Sequence, residues 1–181
     1  FPRMAHRGPF ALAVSFLLVA SAATGAPPDA PAAAAGIRWT VPAAWTAGKA
    51  SPMRVATYAV PPAKGAEAGE CAVFFFGTGQ GGGVSDNVAR WGKQFEGAPS
   101  PATRATVVSG LKVTRAEVKG TYLAPGGPMM QSTGKRPGYR LLGAIVEAPE
   151  GNVFFKLTGP AATIAAAEAS FEALVSSVRR R

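Results

Sequence analysis

One histidine, His6, and one cysteine, Cys71, stand in a chain of 181 residues. Ser–His–acid triads, Cys–His pairs and His-ligated zinc would all have to draw on that single imidazole. His6 falls in an N-terminal stretch that reads as a removable leader, so the mature chain is expected to carry no imidazole, no metal and no cofactor. Cys71 opens the run CAVFFF, which marks it as a buried, inert thiol, and a lone cysteine makes no internal disulfide. What remains for acid–base work is carboxylates: Glu67, Glu70, Asp86, Glu96, Glu117, Glu147 and Glu150. Two of them facing each other across a cleft, roughly 5–10 Å apart, would suit glycoside hydrolysis. Most fall in loops or at strand ends.

Two motifs suggest specific chemistry and fail on context. Gly77-Thr78-Gly79-Gln80-Gly81-Gly82 fits G-x-G-x-x-G after a strand and before a helix, where backbone N–H groups would hold a pyrophosphate. The helix, however, begins two residues beyond the third glycine, the next strand ends without an acid, and the sheet reads antiparallel, whereas the fingerprint needs a parallel unit. No Lys-Ser/Thr follows the glycines, which excludes a P-loop. Ser85-Asp86-Asn87 and Ser132-Thr133-Gly134-Lys135 spell S-D-N and S-x-x-K, but in reversed order, with the serine–lysine pair in a Gly/Pro loop and no K-T-G after them.

A softer constellation survives. Gly81, Gly82 and Gly83 lead into a helix on which Asn87, Arg90 and Gln94 recur at spacings of three and four. A glycine loop, a helix N-terminus and a guanidinium can together hold a carboxylate, a phosphate or a partner's backbone. These six residues are the candidate ligand-binding set, and the same pattern also fits an ordinary solvated helix face.

The elements that would position them follow from periodicity. Met53–Val60 reads as a strand, with Met53, Val55 and Ala59 on one face and Arg54, Ala56 and Tyr58 on the other. Ala72–Phe76, Leu141–Val146 and Val153–Leu157 are apolar on both phases, as strands covered on two faces are. Ala148–Asn152 predicts a hairpin, and Ser109-Gly110 a second, joining Ala105–Val108 to Leu111–Val118. In that last strand the apolar phase slips between Val113 and Ala116, which predicts a bulge near Arg115. One helix is expected from an N-cap at Ser85, with Val84, Val88, Trp91 and Phe95 as its stripe. Another opens at Pro160, buries Ile164, Phe171, Leu174, Val175 and Val178, and turns Glu168 and Glu172 outward. Arg179, Arg180 and Arg181 would then complement its dipole. A long Gly/Pro loop is expected between Ala124 and Gly138. The order implies an α+β fold, an α/β/α sandwich with a mainly antiparallel central sheet and two principal helices.

The opening Ile37-Arg38-Trp39-Thr40-Val41-Pro42-Ala43-Ala44-Trp45 resembles the first strand of the PsbP-like and DcrB-like families. Phe154–Thr158 and Phe171–Val178 are similar to their last strand and closing helix. The resemblance covers the two ends of the domain and not its centre. It implies an α/β/α sandwich around an antiparallel sheet, and a non-enzymatic accessory or envelope protein.

Met4 is expected as the start. His6 and Arg7 make a short basic region, Phe10–Ala20 an apolar run of 11 residues, and SAATGA a small-residue exit, the three parts of a secretory signal. The run is shorter than the roughly 20 residues of a membrane-spanning helix. Cleavage after Ala23 or Gly25 suits the pattern better than after Ala26, which would leave Pro27 first. Residues 1–26 thus read as a signal peptide, 27–36 as a Pro/Ala-rich linker, and 37–181 as one globular domain. Losing Arg3 and Arg7 from 19 basic residues leaves 17 against 10 acidic ones, a net +7. Such a surface attracts anionic envelope components, but it lacks the dense basic stripe and exposed aromatics of a nucleic-acid reader. The expected function is therefore a secreted or periplasmic, non-enzymatic accessory domain that binds a protein partner or a small anionic ligand. The rival from another class is a carboxylate-dependent hydrolase acting on envelope polysaccharide.

Overall fold

The computed structural model describes residues 31–49, 51–124 and 134–181. The leader, the first part of the linker, and Ser132 and Thr133 of the S-x-x-K match lie outside these residues. Seven strands form one antiparallel sheet: β3 (Thr46–Ala47), β4 (Ala56–Val60), β5 (Gly69–Phe74), β6 (Ala102–Val108), β7 (Leu111–Ala124), β8 (Gly134–Ala148) and β9 (Gly151–Pro160). Their spatial order is β3-β4-β5-β9-β8-β7-β6. A small second sheet joins β1 (Ala33–Ala34) and β10 (Arg179–Arg180) to either side of β2 (Ile37–Arg38). Helix α1 (Val84–Gly92) packs on one face of the large sheet and α2 (Ala161–Ser176) on the other, giving the α+β sandwich. Among the described residues no helix is long and apolar enough to cross a membrane.

The doubly apolar strands divide between two cores. Leu142, Ala144 and Val146 of β8 and Val153, Phe155 and Leu157 of β9 face α2, where they meet Ile164, Phe171, Leu174 and Val175. Leu141 and Ile145, with Phe154 of β9, face α1 and meet Trp91 and Phe95. Cys71 is fully buried in the first core, and burial pushes its thiol up, as expected of an inert cysteine.

Both hairpins form where their turns require. Ser109 and Gly110 take φ of 48° and 75°, the doubly positive pair of a two-residue hairpin turn, and set Val108 opposite Leu111. The bulge lies elsewhere than expected. Arg115 pairs in register with Arg104, and the irregularity falls between Gly120 and Tyr122. The phase slip at Val113 and Ala116 needs no bulge, because Val113 serves the α2 core and Ala116 the α1 core.

Other elements depart from expectation as well. Met53 is 63% exposed and β4 starts only at Ala56, with Ala56, Tyr58 and Val60 buried together on one face. The Gly/Pro loop is shorter than the span 124–138, since β8 already begins at Gly134. Gly83, not Ser85, occupies the cap position of α1, and α1 ends before Phe95, which is buried beyond its last turn. The terminal arginines do not extend α2. Ser177 donates its hydroxyl to Leu174 O and accepts from Thr40 N, and Val178 turns into the core, so Arg179 and Arg180 pair with Arg38 and Ile37 as a strand. The last linker residues are packed as well: the Tyr58 hydroxyl accepts from Trp39 Nε1 at 2.9 Å and donates to Pro31 O at 2.6 Å, holding β1 against β2.

Candidate functional site

The glycine loop and the polar residues of α1 come together, but largely to hold one another. Asn87 is buried, and its amide donates to Gly81 O at 2.7 Å and Gly83 O at 2.9 Å. Its carbonyl accepts from Arg90 at 3.2 Å. Gly81 takes a φ of +89° and lies so close to Phe76 that a Cβ there would stand 2.7 Å from the ring. Asp86 occupies the first turn of α1, where an anion would otherwise profit from the helix dipole. Gln94 turns inward, with its Oε1 buried and unpartnered among the described residues. Topology disposes of the dinucleotide motif: β5 has antiparallel neighbours on both sides, and the chain crosses β9, β8 and β7 before it re-enters the sheet as β6.

Among the described residues, two hollows stand out on the α1 face of the sheet. The larger, about 910 Å³, is a groove between α1 and the β6–β7 hairpin, lined by Val84, Val88, Ala89, Pro99 and Pro101 among others. The smaller, about 510 Å³, lies at the sheet end where β5 and β8 begin and β7 and β9 finish. Volume favours the first, but convergent polar chemistry is in the second.

The floor of this cleft is Ala72, Lys156 and Thr158, and the small residues Ala68, Gly69 and Gly159 line it beside them. The register sets Lys156 between Ala72 of β5 and Gly143 of β8. One wall holds Arg54 and Phe74. The guanidinium carbon of Arg54 lies 5.6 Å from the Phe74 ring centroid, and its Nη1 donates to Glu70 at 2.7 Å. The opposite wall is Tyr122 stacked on Tyr139, their rings 1° from parallel with centroids 5.7 Å apart. Arg136 closes the rim, its Nη1 3.2 Å from Glu67, to which the Tyr139 hydroxyl also donates at 3.1 Å.

Lys156 is the unusual member. Its Nζ donates to the Tyr122 hydroxyl at 3.3 Å and stands 5.5 Å from that ring's centroid. Among the described residues no carboxylate forms an ion pair with it. Burial, with the Arg54 charge adding to it, lowers the amine to about 8. Burial pushes the Tyr122 phenol up to about 12, so it stays protonated, and its own proton has no acceptor among the described residues. Thr158 Oγ1 is likewise buried and unpartnered. Sequence reasoning missed this site because Lys156 sits within an apolar strand run. The signal available was a charged residue between Phe155 and Leu157, where two-sided burial had already been inferred.

The carboxylates are mostly engaged elsewhere. Glu67 is held by Arg136, Glu70 by Arg54, Glu96 by Lys135, Glu117 by Arg140 and Lys119, and Glu147 by Lys112. Glu168 and Glu172, expected to face solvent, reach across to Arg140 at 2.8 Å and Arg115 at 2.9 Å. No group of three or more potential metal ligands occurs among the described residues.

No family model matches the chain, and no curated protein matches it in sequence. Among solved structures the chain is similar to PA94 from Pseudomonas aeruginosa, a protein of unknown function described as a candidate regulator. The two share 14% identity and a TM-score of 0.44 over 67% of this chain and 78% of that one, too distant a likeness to carry a functional argument.

Proposed function

We propose that this chain is an exported, non-enzymatic binding domain that takes a small anionic ligand in the cleft over Lys156. The observation that carries this reading is a partly buried lysine with no carboxylate partner among the described residues, on the floor of a cleft rimmed by Arg54 and Arg136. A bound anion would give that amine the counter-charge it lacks and would accept from the unused protons of Thr158 and Tyr122. The leader-like residues 4–26 support export, and the PsbP-like and DcrB-like character of the domain's two ends supports an accessory role. A hydrolase is the weaker reading, because five of the seven candidate carboxyls are engaged in ion pairs with basic side chains.

The test is thermal shift of the domain against phosphate, small carboxylates and nucleotides, with Lys156→Met and Arg90→Ala alongside. A ligand at about 100 times its dissociation constant adds about 2.7 kcal/mol. In a domain of this size that is roughly 5–10 °C. The expected result is a shift lost in Lys156→Met and kept in Arg90→Ala. A shift lost only in Arg90→Ala would return the site to the glycine loop. No shift with any anion would overturn the reading.

A further inference from the structure

We propose that Lys156 is an amine nucleophile that captures a small carbonyl compound, an aldehyde or 2-oxo acid bearing a carboxylate or phosphate, as a reversible imine. This rests on reading the cleft as an anion site, and it adds what distinguishes the anion. Four features of the geometry support it. The Nζ is the floor of a concave site, not the tip of a surface chain. Among the described residues no carboxylate forms an ion pair with it that would hold it as an ammonium ion. The Tyr122 hydroxyl sits 3.3 Å away with its proton unspent, placed to donate to an oxygen bound at the same carbon as Nζ. Arg54 and Arg136 stand at the rim, where the charged end of a short ligand would lie with its carbonyl over the amine. Burial, by lowering the amine to about 8, raises its neutral fraction near pH 7.5 far above that of a solvated lysine.

The step balances without a redox partner. The Nζ lone pair adds to the carbonyl carbon and the C=O π pair moves to oxygen. That oxygen takes two protons in all, one of them by way of Tyr122, and leaves as water while nitrogen loses two and forms the C=N bond. Tyr122 is reprotonated from solvent. Glu70 and Glu67, paired with the rim arginines, moderate the positive field without neutralising the amine.

The chain is incubated with glyoxylate and cyanoborohydride at pH 7.5, and each lysine's carboxymethylation is followed by peptide mass mapping. Lys49, Lys64, Lys93, Lys112, Lys119 and Lys135 are the internal reference. Labelling of Lys156 is expected to exceed their mean by about tenfold. Glycolate, which carries the same charge and no carbonyl, is expected to protect it, and Tyr122→Phe to slow it with the fold intact. Even labelling of all lysines, with phosphate or glycolate still raising Tm, would overturn the imine and leave the anion site standing. Even labelling with no Tm response to any anion would overturn both. Pyridoxal 5′-phosphate as a second probe separates a phosphate-bearing ligand from a carboxylate-bearing one, by which of the two is captured at lower concentration.

Discussion

Trp91 lies against Gly143 with no room for a side chain between them: a Cβ at residue 143 would stand 2.7 Å from the indole Cε3. This contact seats α1 on β8, and Gly143 is also the register partner of Lys156. Gly143→Ala is expected to displace α1 at a cost of ~1–3 kcal/mol, the usual penalty for overpacking. Urea unfolding gives the cost, and a red-shifted tryptophan emission would report the displaced indole.

Lys156 is expected to be a stability liability below pH 8. With its amine at about 8 when folded and near 10.5 when unfolded, the unfolded chain binds more protons across that interval. Stability from this group therefore rises with pH from about 8 to 10.5, and below 8 the whole cost of burying the charge is present. Lys156→Met should raise Tm at pH 7 by ~2–4 °C, the shift for about 1 kcal/mol in a domain this size. The gain should vanish as the pH approaches 10.5. Thermal melts at several pH values check both the size and the trend.

Asn87 and Arg90 should separate cleanly. Asn87→Ala removes the side-chain donor from the carbonyls of Gly81 and Gly83, of which Gly83 O keeps the backbone N–H of residue 87, and is expected to cost ~1–3 kcal/mol. Arg90→Ala loses one weak bond and should stay within ~0.5 kcal/mol. Denaturant unfolding of the two variants, with limited proteolysis of the 77–83 loop, is the measurement.

Arg140 is only 8% exposed and donates to Glu117 at 2.9 Å and Glu168 at 2.8 Å, tying α2 to β7 through β8. Burial by itself would raise the Glu117 carboxyl, but hydrogen bonds from Lys119 and Arg140 outweigh it and hold it below its usual value. Its contribution is therefore present above the ordinary glutamate range and lost as the pH falls through the lower folded value. Arg140→Ala is expected to cost ~1–3 kcal/mol at pH 7. It should also flatten the acid limb of the stability curve, which melts between neutral and acidic pH would show.

Much of the framework was legible because each part has a local cause. Runs such as Leu141–Val146 that are apolar on both phases can be satisfied only between two layers, and both layers are there. The Ser109-Gly110 turn and the buried stripe of α2 depend on neighbours a few residues away. At Arg115 a change of apolar phase suggests a bulge, whereas the strand passes from one core to the other. The end of α2 depended on Ser177 meeting Thr40, a contact across 137 residues that no periodicity carries.

By itself the sequence determined the layers, the hairpins, the inert thiol and the scarcity of imidazole, since these follow from residue type and short-range period. Only the tertiary structure decided the site. Among the described residues Lys156 is left without an ion pair because Arg54, Tyr122, Arg136 and Tyr139 arrive around it from three other segments, and because Glu70 and Glu67 pair with Arg54 and Arg136 instead. Desolvation and the competition among charges for partners are properties of the assembled surface. A lysine's place in an apolar strand shows that it is buried on one side, not what will face it.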